Sequence, residues 1–184
     1  MLSPIDATYI NDEHEAFEAL TTATRSARRV IRSTRYSPES VLTQPAYIKA
    51  IEARVLGTDG IAPLRRYERI IAVNSRRKID DVKHHLSAFK ERPFRIYLTY
   101  FPHIFELVVI DDSEVFIHFY KEEHIIASTL HLRGTIIAEE FERIFDRLKS
   151  RDLYRLFDCE EIADSNLEVA FHIVDEIFRE RGLN

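Results

Sequence analysis

The sequence predicts an α/β protein, a mixed β-sheet flanked by helices, on three observations. Helical and strand-like periodicities alternate through the first hundred residues. Four strand-like runs then follow one another between Phe94 and Leu132. Two strongly amphipathic helical stretches close the chain. The expected order is α-β-α-β-α-β-β-β-β-α-α, which calls for helices packed on the faces of a sheet.

Each element has a local cause. Asp12 to Val30 reads as a helix because Asp12 and Glu15 stand at capping-box spacing. Val30 to Tyr36 is a short strand stopped by Ser37-Pro38. Pro45 suits the first position of a helix that runs to Leu56 and is closed by Gly57. Arg69 to Val73 is an apolar run of the kind buried on both faces of a sheet. Asn74-Ser75 can cap the next helix, in which Ile79, Val82, Leu86 and Phe89 repeat at helical spacing and Pro93 ends the pattern. Phe94–Phe101, Phe105–Ile110, Val115–Tyr120 and Ile125–Leu132 are strand-like, with Asp111 to Glu114 supplying turn chemistry between the second and third. Ile137, Phe141, Ile144, Phe145 and Leu148 form the stripe of one closing helix. Ser165 and Glu168 cap the other, ahead of Ala170, Ile173, Val174, Ile177 and Phe178.

Composition narrows the function classes. A chain of 184 residues with 45% hydrophobic content fits one domain with its own core. One cysteine excludes an internal disulfide and a thiolate metal cage. No stretch approaches the roughly 20 apolar residues of a membrane-spanning helix. No signal-peptide pattern opens the chain, so the cytoplasm is the expected location. The net charge of −5 argues against nucleic acid as a partner. It averages two unlike halves: residues 1–100 hold 17 basic and 12 acidic side chains, residues 101–184 hold 9 and 19.

Phe105-Glu106-Leu107-Val108-Val109-Ile110-Asp111-Asp112, followed by a second strand, resembles the phospholipase D-like superfamily, as do the early helix feeding a strand, the strand–helix–strand unit from Arg69 to Phe101, and the closing Phe141-Glu142-Arg143-Ile144-Phe145-Asp146-Arg147-Leu148. The closing pattern is similar to the degenerate sensor-type domains of bacterial and archaeal transcription regulators. The resemblance spans about residues 15–150 of a single 1–184 domain, leaving 151–184 as a C-terminal helical extension. It implies a phospholipase D-like half-domain and a homodimer, because single-motif members complete one site with two copies.

The superfamily motif, H-x-K-x-x-x-x-D followed by G-S-x-N on the returning strand, is absent in every register. With Asp111 on the motif aspartate, the histidine and lysine positions hold Ile104 and Glu106, and the glycine, serine and asparagine positions hold His118, Phe119 and Lys121. Shifting back by one residue recovers His103 but loses the aspartate. Ile104 offers no nucleophile. Glu106 would repel a phosphate by about 4 kcal/mol per charge pair at ~4 Å and an effective dielectric near 20. The resemblance therefore implies a non-catalytic regulatory, ligand-binding or interaction module, with no catalytic residues and no cofactor. The alternatives are a divergent phosphodiesterase or nuclease with a non-family site, and a nucleic-acid-associated regulator.

The candidate ligand-binding residues are Glu106, His118 and Lys121, at the family's substrate positions, with Arg35 and Tyr36 at the end of the first strand. A small molecule or a protein is the expected partner. The bland alternative has Glu106 and Lys121 pairing across the hairpin and His118 packed and hydrogen-bonded. His84, His85, His118, His124 and His131 lack metal-site spacing, so no metal is expected. Cys159 sits among Asp158, Glu160 and Glu161, which oppose a thiolate. The basic runs Arg25/Arg28/Arg29/Arg32 and Arg76/Arg77/Lys78 read as solvated faces, with phosphate contact as the sharper alternative.

Overall fold

The computed structural model describes residues 5–35, 45–58, 60–76, 78–89, 92, 94–99, 105–121, 126–150, 159–162 and 167–183. Its elements run β1 (Asp6–Ile10), α1 (Glu13–Ser26), β2 (Val30–Arg35), α2 (Pro45–Leu56), β3 (Arg66–Ala72), α3 (Lys78–Phe89), β4 (Phe94–Thr99), β5 (Phe105–Ile110), β6 (Glu114–Tyr120), β7 (Ile126–Arg133), α4 (Thr135–Lys149), β8 (Cys159–Ile162) and α5 (Leu167–Glu180). Eight strands form one mixed sheet in the order β1-β7-β6-β5-β2-β3-β4-β8. β2, β3 and β4 are parallel, and the remaining pairings are antiparallel.

Strand alternation divides the core between the two faces. Ile31, Tyr67, Ile71, Val108, Ile110 and Phe116 point into the larger core, which α1, α2, α3 and α5 close with Leu20, Ile51, Leu86 and Val174. Leu107, Val109, Val115 and Ile117 point the other way, onto Ala138 and Phe141 of α4. Ile70 and Tyr97 meet Phe145 of the same helix. The apolar run in β3 thus has the expected cause: Ile70 and Ile71 are buried on opposite faces.

The α/β architecture agrees with the sequence reading, and several details differ from it. α1 stops at Ser26 rather than Val30. A continuing helix would turn the next N–H groups back along its own axis, but those of Arg28, Arg29 and Val30 converge on the Asp111 carboxylate at 2.9, 2.7 and 2.9 Å. Arg28 and Arg29 therefore leave the helix. Arg32 lies in β2, buried on the α4 side against Glu68 and Glu142, not on a solvated helical face. Lys78, read as part of a basic surface run, is 1% exposed. β1 and β8 were not expected from the sequence, and they form the two edges of the sheet. The Ser165 cap and the boundaries set by Pro38 and Pro93 lie outside the described residues. Among the described residues no helix is long and apolar enough to cross a membrane.

Candidate functional site

The site grows from three strand pairings. Glu106 on β5 stands directly opposite His118 on β6. Tyr120 follows two residues on, so it shares the His118 face. β2 runs antiparallel to β5 with Ser33 opposite Val108, and two residues further along the same face Arg35 reaches Glu106. Arg69 on β3 joins them on the side of the sheet that α1 and α2 cover.

Here Arg35 and Glu106 form a buried ion pair. Nη1 of Arg35 donates to Oε2 of Glu106 at 2.8 Å and lies 3.3 Å from the Tyr120 hydroxyl, which donates to the same Oε2 at 2.7 Å. Burial works against the Arg35 charge, but Glu106 outweighs it and holds the guanidinium above its ordinary value. Burial and the Glu106 charge together push the Tyr120 hydroxyl up, so it stays a donor.

His118 is 2% exposed, stacks on Phe17 and Phe116, and has its Nδ1 2.8 Å from the Thr129 hydroxyl. Its Nε2 has no partner among the described residues. Burial lowers its pKa to about 4, with Glu106 opposing and Arg35 adding to the shift. The imidazole is neutral at pH 7.

Two more cations stand behind the pair. Nη1 of Arg69 lies 3.4 Å from Nε2 of His85, whose Nδ1 is 2.7 Å from the Asp81 carbonyl. A carbonyl only accepts, so Nδ1 carries the proton and Nε2 faces Arg69 as an acceptor. Burial and then the Arg69 charge lower the His85 pKa to about 3. Lys78 Nζ donates to the carbonyls of Ala72 at 2.9 Å and Arg35 at 3.4 Å. Burial brings its pKa down to about 7 against the pull of Glu106, with Arg35 and Arg69 lowering it further.

A cavity of about 30 Å³ lies among Ser33, Arg35, Arg69, Glu106, His118 and Tyr120. A water needs roughly 10–15 Å³ on this measure, so there is room for one or two. Chemically, the arrangement offers a neutral imidazole and a carboxylate already engaged by Arg35 and Tyr120. Among the described residues His118 is the one imidazole that lines this cavity, and Lys121 is exposed away from it. Asp111, which the sequence reading set on the motif aspartate, accepts three backbone N–H groups 2.7–2.9 Å away and acts as a turn-holder.

Of the five residues expected at the site, the structure brings Arg35, Glu106 and His118 together. Lys121 is exposed at the end of β6, and Glu106 meets Arg35 and Tyr120 rather than pairing with it. Tyr36 lies outside the described residues, as do His103, Ile104 and His124. The sequence reading missed Tyr120, Arg69, Lys78 and Thr129. Only Tyr120 carried a usable signal, its i+2 relation to His118. Among the described residues no cluster of His, Cys, Asp and Glu could hold a metal ion.

No protein-family model and no curated protein sequence matches the chain. Solved structures do. NucT from Helicobacter pylori superposes with a TM-score of 0.54 at 13% identity, covering 78% of this chain and 95% of its own. Nuc, a phospholipase D family member from Salmonella typhimurium, gives 0.53 at 16%, covering 85% and 97%. The archaeal chromatin protein TrmBL2, whose structure shows a mode of DNA binding, gives 0.53 at 11%, covering 80% of this chain and 52% of that one. The fold is phospholipase D-like. At these identities likeness reaches no further than the fold, and the chemistry rests on the side chains of this chain.

Proposed function

We propose that this chain is a non-catalytic phospholipase D-like module, acting in regulation through binding a ligand or a partner rather than by turning over phosphodiesters. One observation carries the reading: Glu106, which the sequence register sets on the motif lysine, is a carboxylate held in a buried network with Arg35 and Tyr120 around a cavity of about 30 Å³. Phosphoryl transfer needs a nucleophile with access to phosphorus and donors preorganised for the developing charge. Here the neutral His118 is packed between aromatic rings and Glu106 contributes charge of the wrong sign.

The chain works as one domain in this reading. The pairing of β8 with β4, and the place of Ala170, Val174 and Phe178 of α5 in the main core, support it. A pair of identical copies is the assembly that the resemblance to single-motif members implies. Light scattering is expected to give twice 21.6 kDa; a mass that stays at the monomer value over a wide concentration range removes the dimer from the reading.

The test is turnover. Bis-p-nitrophenyl phosphate and single- and double-stranded DNA are expected to remain at the buffer blank with the purified chain. Turnover that copurifies with the chain and disappears in His118→Ala or Glu106→Gln would make it an enzyme and end the proposal.

A further inference from the structure

At the opposite end of the sheet stands a second group of cations. α1 and α2 both end there, and between the two helices lies a groove of about 290 Å³ lined by Arg25, Lys49, Ala53, Arg54, Thr58 and Ile61. Arg54 is 3% exposed, and its Nε and Nη1 have no hydrogen-bond partner among the described residues. Burial holds its guanidinium below its ordinary value, and the field of Asp111 offsets this only in part. The Asp111 oxygens are already occupied by the N–H groups of Arg28, Arg29 and Val30.

Basic residues in a last helical turn complement the carbonyl end of the helix dipole, but they do so with the head group in water or on the terminal carbonyls. Arg54 does neither with those two nitrogens. A buried guanidinium with unfilled donors costs stability, and such sites persist where a ligand supplies the missing acceptors.

We propose that this groove binds a phosphate monoester, with Arg54 as its buried anchor and Arg25 and Lys49 as its exposed clamps. The phosphate is identified by charge and shape. A guanidinium fork matches two oxygens of one oxyanion. Three cations suit a monoester, which carries about −1.5 to −2 at pH 7, better than the single charge of a diester. The groove is larger than a bare phosphate, and Ala53 and Ile61, the latter 47% exposed, give the organic part an apolar wall. The groove shares no lining residue with the Arg35–Glu106 cavity, so it is independent of the proposal about turnover.

The test follows thermal unfolding of the full chain with inorganic phosphate, AMP and adenosine at fixed ionic strength. AMP and phosphate are expected to raise Tm, and adenosine to leave it unchanged. Arg54→Met should abolish the response while raising the ligand-free Tm by about 2–4 °C, since an unpaired buried charge is removed. An Arg25→Met/Lys49→Met pair, both at exposed positions, should weaken the phosphate response about tenfold with the ligand-free Tm unchanged. The site is overturned if Arg54→Met retains the response, or lowers the ligand-free Tm as a structural helix-end cation would. It is likewise overturned if duplex DNA binds in an Arg54-dependent manner while AMP and phosphate have no effect.

Discussion

Arg35 and Arg54 are buried near opposite ends of the sheet, and their surroundings differ. At one end Arg35 sits 13% exposed against Glu106, 2.8 Å away, with Tyr120 completing the network. At the other, Arg54 is 3% exposed, and two of its nitrogens have no acceptor among the described residues. The same side chain therefore does two jobs. A buried charge with its counter-charge beside it is a structural pair that resists rearrangement. One left without its acceptors weakens the free protein and favours whatever anion completes it.

Deleting each cation tests the contrast most strongly. Arg35→Met leaves the Glu106 carboxylate buried without its guanidinium and is expected to cost about 3–5 kcal/mol in urea unfolding. An Arg35→Met/Glu106→Leu double variant should recover most of that loss, because no unpaired charge remains. The Arg54→Met change has the opposite sign. If Arg35→Met proves as harmless as Arg54→Met, the two ends do not differ in the way the geometry states.

Acid acts at the end that holds Arg35. His118 and His85 have folded-state pKa values of about 4 and about 3, below the unfolded value near 6.5. As pH falls from 6.5 the unfolded chain takes up protons that the folded chain refuses, so stability is lost as pH decreases. Two such groups remove on the order of 3 kcal/mol between pH 6.5 and 5, above the range where carboxylates titrate. The urea midpoint should drop over that interval, and His118→Gln should roughly halve the slope. A midpoint independent of pH there would mean that these imidazoles are not buried neutral.

The sequence made the interior of the fold legible and left its edges and its charges hidden. α2 begins and ends where Pro45 and Gly57 predict, because both residues act through their own backbone geometry. β1 carries no such mark: Asp6 to Tyr9 are exposed, so neither face needed an apolar pattern. The position of Glu106 opposite His118 could be read from hairpin register, and Tyr120 could have been. The Arg35–Glu106 pair joins residues 71 apart through the β2–β5 pairing, which no local pattern announces. Arg54 was invisible for a related reason. In sequence it is an ordinary basic residue in a last helical turn, and no local pattern shows that Leu64 N will return to donate to its carbonyl at 2.9 Å.

The segment that follows α2 gives the smallest and most local test. Gly57 closes α2 at φ 74°, and a Cβ placed there would stand 2.7 Å from Cδ and 2.8 Å from the backbone nitrogen of Pro63. Gly60 has the same φ, but a Cβ there meets nothing within 4 Å. Gly60→Ala should therefore cost only the left-handed backbone penalty of about 1–2 kcal/mol. Gly57→Ala should cost more, because Pro63 must move as well. Since Thr58 and Ile61, which line the Arg54 groove, both follow Gly57 closely in the chain, Gly57→Ala should also blunt the thermal response to phosphate while leaving the acid slope of His118 and His85 untouched. Equal costs for the two glycine changes would show that Pro63 is free to yield, and that the turn does not hold the groove in shape.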